Sequence, residues 1–253
     1  MFAEDVGVPD GSPMVMVHGF LSSNAQWYLN QDALGEQLRL IMVELLGHGR
    51  SDTPDRDEAY TLDSLLAELE RIREARGIER WWVCGQSLGG AISILYCLRH
   101  PDRVSGLIFT NSRAAFGIKR QGVSRDPDKR PPPLTHTRDL PIHPINATRL
   151  HESIKSRMVK DADAMPLHCV EHYLSRRHTW KSLDRMHELS MPVLLVNGRW
   201  EKQFQPFADQ ARERIPDLEV VTLEGGHAIN AERPAEFNEA VLDFIQRRGD
   251  QGC

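Results

Sequence analysis

Ser87 stands between two glycines in Gly85-Gln86-Ser87-Leu88-Gly89, and a third glycine, Gly90, follows. The spacing is G-x-S-x-G, with an apolar run before it and a helix-forming run after it. In that context the motif is a sharp strand-to-helix turn that lifts a serine hydroxyl above a sheet. Large side chains two residues from the serine would collide with the adjoining strand and helix. The same turn sets the Leu88 N–H and a helix N-terminus beside the hydroxyl, where negative charge can be held. Such a serine is built to attack a carbonyl.

A serine at its free pKa is a weak nucleophile and needs a base. Eleven histidines compete for the role. Seven of them (His136, His143, His151, His168, His172, His178 and His187) fall between 111 and 190, a stretch without the rigid frame a base requires. His100 lies at the far end of the helix that follows Ser87, and His18 and His48 each precede a glycine and shape turns. His227, in "LEGGHAINAERP", follows the last apolar run, at the carboxyl edge of a sheet where α/β sites form. His227 is therefore the expected base.

The base in turn needs a carboxylate to fix its tautomer. The chain order serine, acid, histidine places that acid between 87 and 227. "NGRWEKQF" supplies Glu201 just past a strand end, whereas the strand ending near Thr110 is followed by Asn111 and Ser112. The turn in "VHGFLSS" (17–23) offers the Phe20 amide, so Phe20 and Leu88 are the expected oxyanion donors. Phe20, Gln86, Arg113 and Trp200 are expected beside the substrate, with Lys119 and Arg120 as further cations near it.

These side chains need a rigid frame. Apolar runs at 14–18, 38–45, 80–85, 104–111, 192–198 and 218–225 read as strands buried on both faces, as in a parallel sheet. Amphipathic patterns at 61–77, 88–100 and 234–248 read as helices, the first capped by Thr61 and stopped by Gly77. Strand–helix alternation implies a doubly wound α/β fold with a mostly parallel sheet of about seven strands flanked by helices. The alternation fails over 113–190, which is too long for a plain loop and reads as an inserted cap. Its first part, 117–144, holds six of the 15 prolines and cannot be one helix; its second part, about 147–189, is helix-friendly. The core is then 1–112 with 191–253.

Composition narrows the partners. Apolar residues make up 40% and charged residues 26%, as in ordinary globular proteins. The net charge of -5 argues against nucleic acid. Residues 111–190 carry 15 Lys and Arg against 9 Asp and Glu, so a basic cap sits over an acidic body and favours an anionic small molecule. The four cysteines form no framework, no apolar run reaches transmembrane length, and the acidic start lacks the features of a signal peptide. A cytoplasmic setting is expected. No phosphate-cradle or dinucleotide motif occurs, and His168-x-x-x-His172 lacks a third metal ligand, so neither cofactor nor metal is expected.

Taken together, "HGF", "GHGRSD" (47–52), "GQSLGG" and "GGHAINAERP" resemble the α/β-hydrolase superfamily in order and spacing. Within it the chain is similar to the menaquinone-pathway succinyl-hydroxy-cyclohexadiene-carboxylate synthases, which eliminate pyruvate with the same three-residue machinery acting as a base. Two positions differ from that group: Ala91 stands where an arginine is typical, and Glu201 where an aspartate is usual. The resemblance implies the fold and the three-residue machinery, and the residues themselves point to a serine hydrolase of esters, lactones, thioesters or C–C bonds. Its alternatives are the lyase reaction and a binding protein that keeps the three residues as a pocket.

Overall fold

The structure, a computed structural model, describes residues 1–117 and 134–249. Seven strands form one sheet in the order β1-β3-β2-β4-β5-β6-β7. They are β1 (Phe2–Gly7), β2 (Ser12–Val17), β3 (Leu38–Glu44), β4 (Trp81–Gly85), β5 (Val104–Thr110), β6 (Val193–Gly198) and β7 (Leu218–Leu223). All neighbours are parallel except β1 and β3. Side chains alternate between two apolar layers. Val15, Val83 and Leu107 face one core with α2 (Leu62–Ala75) and α3 (Leu88–Arg99). Met16, Cys84 and Ile108 face the other with α1 (Gln31–Gly35), α7 (Ile229–Glu232) and α8 (Pro234–Gly249). The remaining α-helices among the described residues are α4 (Glu152–Asp163), α5 (Leu167–Arg176) and α6 (Gln205–Arg214).

The strand count matches the expectation, but β1 was not among the six apolar runs. Its sequence, FAEDVG, has no strand periodicity because its carboxylates are met by ion pairs rather than by burial. Glu4 pairs with Arg50, and Asp5 with Arg39 and Arg76. Helix α2 begins as expected, with Thr61 Oγ1 accepting from the Ser64 amide.

A buried polar chain fixes α2 against α3 and β4. Trp81 Nε1–H donates to Tyr96 Oη (3.1 Å), and Tyr96 donates to Glu70. Arg73 grips Glu70 with two bonds of 2.9 and 2.8 Å and also donates to the Ile78 carbonyl. The Arg73 guanidinium holds the Glu70 carboxyl down at about 2, well below its ordinary 4.5. A depressed folded-state value contributes stability above about pH 4.5, and this is lost as pH falls toward 2. Urea midpoints should therefore fall less between those two pH values in Glu70→Gln than in the native chain. An equal fall in both would show that this carboxylate does not carry the acid lability.

Candidate active site

Strand β4 ends at Gly85, and α3 starts at Leu88. Between them Ser87 takes φ 53° and ψ −114°, a conformation that L-residues adopt only under constraint. The close approach of strand and helix explains two of the glycines. A Cβ on Gly85 would lie 2.4 Å from Ser93 Oγ, and one on Gly89 only 2.1 Å from the Val17 carbonyl oxygen. The Ser112 hydroxyl donates to the Ser87 carbonyl and so holds the turn from the β5 side.

The expected partners converge on this serine. His227 Nε2 lies 2.9 Å from Ser87 Oγ, and His227 Nδ1 lies 2.8 Å from Glu201 Oε2. An ionised carboxylate only accepts, so Nδ1 carries the proton and Nε2 is free to accept from the serine. The turn bearing His227 is fastened on both sides. Gln86 Nε2 donates to the His227 carbonyl (3.0 Å), and Glu232 accepts from the amides of Gly226 (2.8 Å) and Ala228 (3.3 Å).

Asn111 is a site residue that the sequence reading passed over. It is fully buried at the end of β5 and exchanges two hydrogen bonds with Gly198 at the end of β6. Its Nδ2 also donates to Glu201 Oε2 at 2.9 Å, the same oxygen that His227 addresses. An amide occupies the strand end where an acid was sought, but its role depends on β6 lying beside β5, which no local pattern records.

Among the described residues, neither the Phe20 nor the Leu88 amide has a protein acceptor. Both residues line a cavity of about 840 Å³ above Ser87, together with Gln86 and Arg113. The far wall comes from the β5–β6 insertion, including Leu140, Met158 and Leu174. Three lining residues hold buried polar atoms with no hydrogen-bond partner among the described residues: Ser22 Oγ, Arg113 Nε and His143 Nε2. The last of these is 3.4 Å from Asp163 Oδ1 but outside hydrogen-bond geometry. Arg149 also lines the cavity and lies over the turn before His227, with Nη1 3.2 Å from where a Gly226 Cβ would sit. It was not anticipated, because nothing in the sequence of the insertion distinguishes it from other surface arginines.

Trp200 departs from expectation. Its ring is not part of the cavity wall: Nε1–H donates to Glu224 (2.9 Å) and Arg149 stacks on its face, so the β6–α6 turn directs it outward. His168 and His172 hold no metal cluster among the described residues and instead meet Asp55 and Asp57. Lys119 and Arg120 lie outside the described residues. No described helix is long and apolar enough to cross a membrane.

A parallel sheet with a strained serine at the end of β4 and a histidine past β7 defines a known class, and residues 12–234 match its family model: the chain belongs to the α/β-hydrolase-fold family. Two relatives align over nearly its whole length. A Bacillus subtilis protein named as a candidate 2-succinyl-6-hydroxy-2,4-cyclohexadiene-1-carboxylate synthase is 24% identical, across 95% of this chain and 93% of its own. A Cronobacter turicensis protein named as a candidate carbamate hydrolase is 27% identical, across 94% and 92%. The solved enol-lactonase of Burkholderia xenovorans shares the fold, with a TM-score of 0.80 at 18% identity over 97% of this chain and 96% of its own.

Proposed function

We propose that the chain is a serine hydrolase that cleaves an ester, lactone, thioester or C–C bond of a small, carboxylate-bearing molecule. The observation that carries this reading is the unbroken line Ser87–His227–Glu201, with links of 2.9 and 2.8 Å. Ser87 Oγ attacks the carbonyl carbon while His227 Nε2 takes its proton. The tetrahedral oxyanion accepts from the Phe20 and Leu88 amides, each such donor contributing about 3 kcal/mol to the transition state. On collapse, His227 returns the proton to the leaving group. Water, activated by the same imidazole, then frees the acyl part. Residues 113–117 and 134–190 act as a cap over the core formed by 1–112 and 191–249, and the rest of the expected cap and core lies outside the described residues.

Charge supports the anionic substrate. The two lining carboxylates, Glu201 and Glu232, are already occupied by protein donors. Arg113 is bonded to neutral Gln203, and Arg149 is stacked on Trp200; neither has a carboxylate partner among the described residues.

The test compares chromogenic esters that share one leaving group and carry neutral or carboxylate-bearing acyl parts, with Ser87→Ala as the blank. The anionic ester should be preferred, and Arg149→Gln should raise its KM about fivefold, as suits a partly exposed ion pair, while leaving the neutral ester unchanged. A neutral preference would remove the anionic assignment.

A second reading, elimination of pyruvate with the three residues acting as a base, is favoured by the full-length Bacillus subtilis relative. Against it, the position where that group typically carries an arginine is Ala91, fully buried inside α3. An acyl group trapped on Ser87 and seen by mass spectrometry decides for the hydrolase.

A further inference from the structure

Only two described non-glycine residues have positive φ: Leu21 (54°) and Ser87 (53°). Each adjoins a proposed oxyanion donor, Leu21 following Phe20 and Ser87 preceding Leu88. The Ser87 turn is held by glycine packing and by Ser112. Leu21 is held by a different device.

Leu21 is fully buried, and its amide donates to His48 Nε2 at 3.2 Å. With Nε2 accepting, the proton of His48 sits on Nδ1, which faces the Leu46 carbonyl at 3.1 Å. His18 makes the converse link: the Leu45 amide donates to His18 Nε2 (3.1 Å), and Nδ1 faces the Gly19 carbonyl (2.7 Å). The loop 18–21 thus lends a histidine to the loop 45–48 and receives one back. Both rings are almost wholly buried, and they meet edge-on at 5.0 Å. Burial pushes His48 down to about 3 and lowers His18 as well, so both remain neutral acceptors. Phe20 and Tyr173 pack on His48 at 6.0 and 5.2 Å, and Tyr173 donates to the same Leu46 carbonyl.

We propose that His48 is a positioning residue of the oxyanion hole: its Nε2 holds the Leu21 amide in the left-handed turn and thereby aims the Phe20 N–H at the oxygen developing over Ser87. The proposal rests on the serine-hydrolase reading. Without an acceptor, the Leu21 amide is a buried donor with no partner. The loop relieves this by leaving the turn, and Phe20 moves with it. The substrate pocket is otherwise unchanged, so the effect falls on the transition state rather than on substrate binding.

Two substitutions of similar polarity separate this role from general support of the fold. In His48→Gln, Oε1 reaches the Nε2 position and can still accept from Leu21. In His48→Asn the shorter side chain reaches only the Nδ1 position. The readouts are ester turnover, melting temperature, and inhibition by a trifluoromethyl ketone, which places an anionic oxygen in the hole when Ser87 adds to it. An ether of the same shape serves as the ground-state control.

His48→Asn should lower kcat about thirtyfold to a hundredfold, approaching the loss of a whole donor, with KM within about twofold. Its ketone affinity should fall by the same factor, and its ether affinity should not. His48→Gln should stay within about fivefold of the native enzyme on every readout. Native kcat in His48→Asn, or a reduced kcat with ketone affinity intact, overturns the proposal. Equal losses in the two variants overturn it too. If the ketone fails to bind the native chain and Ser87→Ala keeps its turnover, it is the hydrolase reading that fails.

Discussion

Ser87→Gly and Ser87→Ala should both lose turnover by about four to six orders of magnitude, yet Ser87→Gly should melt higher than Ser87→Ala. The first half follows from the mechanism: neither variant has an atom that can attack, and His227 has nothing to deprotonate. The second half follows from the turn. At φ 53° and ψ −114° an alanine Cβ is as strained as that of serine, whereas glycine carries no Cβ. Strain of this kind costs on the order of 1–3 kcal/mol. Glycine gives back roughly 0.5–1 kcal/mol through its larger unfolded-state freedom. The net gain of about 1 kcal/mol corresponds to about 2–4 °C in a chain of this size. At an unstrained position the order would be reversed. Calorimetry on the two variants, alongside ester turnover, tests both halves. Near-native turnover in either variant sinks the nucleophile, and an alanine variant that melts higher sinks the strain.

The second large effect belongs to Glu201. Glu201→Gln should cost about a hundredfold in kcat, and Glu201→Ala about a thousandfold or more. The difference traces to Asn111. Asn111 Nδ2 and His227 Nδ1 both point at Oε2, so a glutamine satisfies both donors only by placing its oxygen there. The imidazole then keeps its orientation and tautomer and loses only the charge that steadies the imidazolium. Alanine removes the acceptor altogether. Asn111→Asp in the native background sets a second carboxylate beside the first. Two negative charges favour the protonated imidazole, so the acid limb of the kcat/KM profile should move to higher pH. Adding Asn111→Asp to Glu201→Gln should recover about tenfold of the lost kcat. Equal losses in Glu201→Gln and Glu201→Ala would refute the role given to Asn111.

The sequence made Ser87 and His227 legible because glycine punctuation is a steric requirement, and steric requirements leave marks at fixed offsets. Glu201 could be read from its place past a strand end. Asn111 could not, because its role depends on which strand lies beside β5, and pairing is invisible in a string of residues. Strand β1 escaped for a related reason: its Glu4 and Asp5 are satisfied by arginines 34 to 71 residues away along the chain, so no local pattern records them. Trp200 was expected beside the substrate, but its ring turns to Glu224 and Arg149 instead, because adjacent residues on a turn point in different directions. His48 was read as shaping a turn, and its bond to the Leu46 carbonyl fits that reading. The turn it also reaches, at Leu21, is 27 residues away.

The Asn111–Gly198 exchange makes two strand ends act as one support. It clamps the ends of β5 and β6 together, so one oxygen near His227 can be reached from either strand. Glu201, past β6, supplies the acceptor, and Asn111, past β5, holds that acceptor in place from the neighbouring strand.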